Sequence, residues 1–158
     1  MNKNELDLIE AIVEDEWVSD DTLKSIQVLD TLIAGIQSQA AFFKLANEIN
    51  LDCDLTVVEK LLTISKCNYS AILLLYYRLR PHYYYDALRK GKMIRADGEN
   101  ILRIIKLIEK RIEAQQFDSI DSVGFDPRNF RQRDLTIDPR VDPNGELIPA
   151  FMKNIQSL

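Results

Sequence analysis

The chain is poor in the residues on which most protein chemistry is built. It has one histidine, two cysteines and one tryptophan, and its 5 glycines and 5 prolines lie mostly after residue 80. With His82 alone, no metal site or nucleophilic relay can draw on several histidines. Its neighbours are tyrosines following a proline, with no His-x-x-x-His or Cys-x-x-Cys close by. A phosphate-cradling loop is missing too, since Lys90-Gly91-Lys92 is too short and lacks the Ser or Thr that should follow. Cys53 and Cys67 sit among apolar residues in a helical pattern, which favours two buried, reduced thiols over one disulfide. The longest apolar run, Ala71 to Tyr77, stops at Arg78, far short of the roughly 20 residues a membrane span requires. The start, Met1-Asn2-Lys3-Asn4-Glu5, turns acidic at once and carries no apolar signal segment. These absences predict a soluble, cytoplasmic protein with no cofactor and no metal.

Carboxylates are the one catalytic currency in supply. Glu14, Asp15 and Glu16, or Asp52 and Asp54, have the proximity that acid–base work uses. The plainer reading makes them solvated helix faces and caps, and a non-enzymatic protein is the expectation.

What is present is helix. An apolar fraction of 46% against 28% charged residues is that of a globular chain, and at 158 residues one domain can bury its own core. Leu6, Ile9, Val13 and Trp17 recur at helical spacing and predict a first helix over 5–17. Ser19-Asp20-Asp21 is a cap cluster for a second, lined by Leu23, Ile26, Leu29, Ile33 and Ile36. Ala40, Phe43, Ala46 or Asn47, and Ile49 continue the period, so 20–49 reads as one bent helix or two, with Gly35 the point of weakness. Thr56-Val57-Val58-Glu59 has the form of a capping box. Tyr69 to Leu79, capped by Asn68, is apolar on every side and predicts a central helix ended by Pro81. A short helix over 82–90 closes at Gly91. Asp97 is expected to cap a long helix to about Gln115, with Ile101, Ile104, Ile105, Ile108 and Ile112 inside and Arg103, Lys106, Lys110 and Arg111 mostly opposite. Beyond Phe117 the turn formers Asp126-Pro127, Asp138-Pro139 and Asp142-Pro143-Asn144-Gly145 take over. The fold expected is all-α, a single-domain bundle or array of six or seven helices. A helical domain over 1–117 is followed by an irregular arm over 118–158, with a short last helix from Pro149.

Charge is unevenly spread. Residues 1–65 hold 13 acidic and 4 basic side chains, a net −9, whereas 66–115 hold 5 and 11, a net +6. Two stretches stand out. In Glu14-Asp15-Glu16-Trp17-Val18-Ser19-Asp20-Asp21 a lone Trp among carboxylates has the make-up of a protein contact, an aromatic anchor ringed by charge that steers a basic partner. The competing reading packs Trp17 in the core while the acids cap helix ends. In Tyr76-Tyr77-Arg78-Leu79-Arg80-Pro81-His82-Tyr83-Tyr84-Tyr85, followed by Arg89, Lys90, Lys92 and Arg95, interleaved aromatics and cations could stack bases and neutralise phosphates. The acidity of the whole chain makes nucleic acid the weaker expectation.

Leu45-Ala46-Asn47-Glu48-Ile49-Asn50, the run from Cys67-Asn68-Tyr69 to Tyr76-Tyr77, Arg80-Pro81, and Phe117-Asp118 with Gly124-Phe125-Asp126-Pro127 carry a resemblance. From about Phe43 to Pro127 the order of elements resembles a small bacterial domain of unknown function encoded beside polymorphic toxins of contact-dependent growth inhibition. The resemblance implies an immunity protein that binds a cognate toxin domain, expected to be a basic nuclease, and covers its active site or substrate channel. It transfers no functional residue, because the matching positions are core positions. The contact surface expected from the charge pattern is Glu14, Asp15, Glu16, Trp17, Asp20 and Asp21, with Asp52 and Asp54 next. An adaptor or regulatory subunit is the alternative, and a nucleic-acid-binding helical domain stands behind it.

Overall fold

Short helices are mostly ends, and the sequence supplies breaks often enough to keep these short. The computed structural model describes residues 1–52, 55–64, 69–116 and 123–125. Among them are seven helices and no strand, an all-α fold: α1 (Lys3–Val13), α2 (Thr22–Gly35), α3 (Gln39–Glu48), α4 (Thr56–Thr63), α5 (Tyr69–Arg78), α6 (Pro81–Arg89) and α7 (Ala96–Glu113).

Helix α5 is the axis. Every residue from Ser70 to Tyr77 is buried, which is what an all-round apolar helix requires. Helix α3 packs along it through Ala41, Phe42, Leu45 and Ala46, and α7 approaches it with Ile104, Ile105, Ile108 and Ile112. Helix α1 lies on α2 and α3, α6 lies on α7, and α2 meets α4. The α1–α2 crossing is close because Gly35 faces Leu8. A β-carbon there would stand 2.7 Å from Leu8 Cδ1, so a larger residue requires the Leu8 side chain to move. Of the C-terminal arm only 123–125 are described. There Phe125 packs at 5.8 Å from Phe43, and its N–H donates to Ser70 Oγ at 2.7 Å. The short last helix expected from Pro149, the Asn68 cap, and Cys53 and Cys67 lie outside the described residues.

Several expected boundaries shift, each for a physical reason. Helix α1 stops at Val13 and leaves Trp17 outside it, because Asp15 takes a left-handed conformation (φ 58°). Residues 20–49 form two helices, parted at Ile36, whose backbone is extended and whose side chain is buried. The first half of the α3 stripe differs from the expected one: Ala41, Phe42 and Leu45 are buried, Ala40 is exposed and Phe43 half-buried, while Ala46 and Ile49 are buried as expected. Leu23, expected in the core, is 73% exposed, and Ser25 occupies the inward position of that turn. Thr56 does not cap α4. Leu55 is the N-cap, without a side-chain hydrogen bond, and Glu59 pairs with Arg103 instead of folding back. Likewise Asp97 lies inside the first turn of α7, after an N-cap at Arg95.

The largest departure is Arg111. Expected on the solvent face of α7, it is buried at 6% exposure. Its guanidinium donates to the carbonyls of Leu61 (3.3 Å), Leu62 and Ile64 (2.5 Å), and its Nε donates to Gln116 O. The last turn of a helix leaves carbonyls without partners, and a planar donor fork from a neighbouring helix satisfies several at once. Helix α3 is held at both ends in the same way. At its start the Glu5 carboxylate accepts from the N–H groups of Gln37 (3.1 Å) and Ser38 (2.7 Å) and from Ser38 Oγ (3.1 Å), while also accepting from Asn2 N of its own helix (3.1 Å). At its end Arg78 donates to Ala46 O (2.5 Å) and Ile49 O (2.9 Å).

Two outcomes follow from these braces. Replacing Arg111 with Met leaves dry carbonyls unpaired, and urea unfolding is expected to register a loss of about 3 kcal/mol. Replacing the exposed Arg103 with Met should cost less than about 0.5 kcal/mol. The N–H groups around Glu5, the Ser38 amide foremost, lower its carboxyl to about 2 from an ordinary value of 4.5. A depressed acid stabilises the fold above the unfolded value and loses that contribution as pH falls towards the folded one. The stability gap between wild type and Glu5→Gln should therefore narrow steadily from about pH 4.5 to about pH 2; a gap independent of pH over that window would count against the assignment.

Candidate functional site

The acidic corner is built by the way α1 ends. The Asp15 N–H donates to Ile12 O (3.3 Å) and the Glu16 N–H to Ala11 O (3.0 Å), the paired closure of a helix that finishes on a left-handed residue. Helix α6 closes identically on Gly91 (φ 61°), where Gly91 N–H meets Leu88 O and Lys92 N–H meets Ala87 O, both at 3.0 Å. Glycine takes that backbone without strain, and an aspartate does not. The turn at Asp15 carries Glu14, Asp15 and Glu16 outward and brings the next residue back beneath α1.

Trp17 is that residue, and it is core. It is 5% exposed, and its indole Nε1 donates to Ile12 O at 3.3 Å, one of the carbonyls freed at the end of α1. An interface anchor at Trp17 is thereby corrected: the ring is spent on closing the α1 corner, as the competing reading had it. Beyond it, Ser25 Oγ accepts from Ser19 N (2.9 Å) and donates to the carbonyl of Asp21 (3.0 Å), fixing the turn into α2. Asp21 caps α2, its Oδ1 accepting from Leu23 N (2.9 Å) and Lys24 N (3.2 Å).

Glu14, Asp15, Glu16 and Asp20 remain. All four are exposed, and among the described residues none makes an ion pair. Four other acids of the first third are consumed within the molecule, Asp30 by Lys60 (2.6 Å), Glu48 by Lys44, Glu59 by Arg103 and Glu5 by backbone, whereas Asp7 and Glu10 are exposed on α1. Beside the free carboxylates stand two exposed apolar side chains, Val18 (58%) and Leu23 (73%). The sequence pattern missed both, since Leu23 sits in phase with the inward stripe. A cavity of about 190 Å³ opens at this corner between Trp17 and Val18 on one side and Ile49 and Asn50 on the other. Asp52 is exposed and lies past Asn50, in the next cavity along; Asp54 lies outside the described residues.

The basic–aromatic stretch divides. Tyr76, Tyr77 and Tyr85 are buried. Tyr76 and Tyr85 donate their hydroxyls to Glu109 at 2.8 and 2.5 Å, a junction of α5, α6 and α7 that no motif announces. Burial pushes the Glu109 carboxyl above its ordinary range while the two hydroxyls pull it down. The group braces three helices and opens into none of the cavities described. Arg78 is spent on α3, and Arg89 and Lys90 on Asp86. Tyr83 (63%) and Met93 (96%) stay exposed, together with Arg80, Lys92 and Arg95.

A third kind of site, a small-molecule pocket, has one candidate of about 380 Å³ between α2 and α4. The Asp30–Lys60 ion pair already joins two of its lining residues. Among the described residues no group of three or more His, Cys, Asp or Glu side chains is placed to hold a metal ion, and no helix is long and apolar enough to cross a membrane.

Two substitutions separate building the corner from using it. Trp17→Ala should destabilise the fold by about 3–5 kcal/mol in denaturant unfolding, as emptied aromatic sites do. Asp15→Gly removes a left-handed aspartate and should raise stability by about 1 kcal/mol, while deleting one carboxylate from the surface. No known protein family, curated protein or solved structure matches this chain.

Proposed function

We propose that the chain is a non-enzymatic binding protein whose acidic corner docks a basic protein partner. One observation carries the reading. Glu14, Asp15, Glu16 and Asp20 are exposed without ion pairs among the described residues, and the exposed apolar Val18 and Leu23 lie beside them in the chain. Carboxylates held outward by a strained turn cost folding stability, and stability is commonly given up where function needs the geometry. Apolar side chains supply contact area once water is excluded, and the charges around them set orientation and association rate. The apolar element is Val18 and Leu23 in place of Trp17.

The partner proposed is a cognate bacterial toxin domain acting on nucleic acid, neutralised in the cytoplasm by blocking its substrate channel. A nuclease must present cations to phosphate, and carboxylates in phosphate-like array compete for the same cations. This finer reading rests on the resemblance to domains encoded beside polymorphic toxins and on the acidity of the corner. An adaptor or regulatory subunit would use the same surface on a non-toxic partner. The two part at the gene order, because an immunity gene sits directly downstream of a large secreted effector.

Co-expression with the C-terminal domain of that upstream effector tests the proposal. Wild type should restore growth and co-purify with the domain. Lysine at Glu14, Glu16 and Asp20 together should abolish both while leaving the unfolding curve intact, as surface changes do. Association with the wild type should slow as salt rises. Full protection by the triple variant would show that another face binds.

A further inference from the structure

The acidic corner and the basic edge are not separate features of the surface. Three cavities run end to end. The first, about 190 Å³, lies between Asp15, Val18 and Asn50. The second, about 360 Å³, passes from Asn50 and Asp52 to Arg80 and Tyr83. The third, about 350 Å³, continues from Tyr83 and Tyr84 to Lys92, Met93 and Arg95. Asn50 borders the first two, and Tyr83 and Tyr84 border the last two. The result is one strip with Asp15 in the lining of one end, where the exposed Glu14 and Glu16 adjoin it in the chain, and Lys92 and Arg95 in the lining of the other.

Both ends have the same internal make-up with opposite sign. At the acidic end exposed Val18 and Leu23 lie next to Glu14, Asp15, Glu16 and Asp20 in the chain; Lys24 is the cation that adjoins them. At the basic end exposed Tyr83 and Met93 sit among Arg80, Lys92 and Arg95, which make no ion pair among the described residues; Asp97 is the acid that borders them. Arg89 and Lys90 are neutralised by Asp86. Within one molecule the two ends are separated by the middle cavity.

A strip that changes sign from end to end is complementary to itself after a half-turn. Rotation about an axis through its middle, near Asn50 and Arg80, sets the acidic end of each copy on the basic end of the other. Each apolar pair is covered in the same step. Two-fold interfaces are self-complementary in this manner, and they are the commonest in soluble assemblies. We infer that two copies of this chain associate through the strip as a reciprocal dimer held by Glu14, Glu16 and Asp20 against Lys92 and Arg95. The dimer covers the corner that the proposed partner uses, so the partner displaces one copy. The inference stands without that reading, because the basic end belongs to the dimer alone.

Sedimentation of the full chain tests it. At about 0.01 M salt, where charges act over roughly 30 Å, wild type should be dimeric; at about 1 M, where they act over roughly 3 Å, it should dissociate. Glu14→Lys with Glu16→Lys should be monomeric at low salt, and so should Lys92→Glu with Arg95→Glu. Mixed in equal amounts, these two variants should form a dimer, since opposite charges then meet at both ends. The Lys92/Arg95 variant should still bind the toxin domain, which separates loss of the dimer from loss of the proposed function. A wild type that is monomeric at low salt overturns the inference. So does a dimer indifferent to salt and to both variants, or a mixture that stays monomeric. If the monomeric wild type instead retards RNA in a gel, the basic end is a nucleic-acid surface.

Discussion

Helix ends have to be satisfied, and at three of those described, both ends of α3 and the end of α4, a charged side chain comes across from another helix. Helices of 8 to 18 residues carry the same number of orphan amides and carbonyls as long ones. Packed in a bundle, those groups are withdrawn from water and cost free energy unless paired. Glu5 meets the start of α3, Arg78 its end, and Arg111 the end of α4. Such contacts join helices that are distant in the chain, so they fix relative placement as well as satisfying backbone. A carboxylate favours a helix start and a guanidinium a helix end, so the sign of each brace agrees with the local dipole.

These braces decide which charges are left for the surface. The middle third of the chain is the richer in cations, yet Arg78 and Arg111 work inside and Arg89 and Lys90 are held by Asp86. The first third is acidic, yet Glu5, Asp30, Glu48 and Glu59 are engaged. Of what remains unengaged, Glu14, Asp15, Glu16 and Asp20 stand at the turn after α1 and Arg80, Lys92 and Arg95 flank α6, while Asp7, Glu10, Lys24, Lys106 and Lys110 are exposed as well.

The acidic corner shows how local conformation and surface chemistry are tied. Helix α1 ends on an aspartate in a conformation that α6 assigns to glycine. That choice turns the chain, buries Trp17 beneath α1 and leaves three successive carboxylates outside. Fold and display thus come from one turn, and the indole that closes it is unavailable to any partner.

How much of this was written in the sequence depends on the range of the interaction. Periodicity and breakers gave the all-α class, the central position of α5, the break before Pro81 and the closure at Gly91, because burial of an apolar face and the geometry of proline and glycine are local properties. The end of α1 was hidden, since Trp17 stays in phase with the stripe while Asp15 carries no sign that its φ will be positive. Leu23 and Arg111 were misplaced for a related reason: helical phase assigns a face, and only the neighbours decide whether that face is dry. Arg111 lies inside because the carbonyls of α4 lie within its reach, and Leu23 lies outside because no described residue covers it. The sequence by itself determined where helices form and which sign of charge each third of the chain carries. Only the tertiary structure determined which charges pair inside and which face water, because that depends on groups far apart along the chain meeting within hydrogen-bond distance.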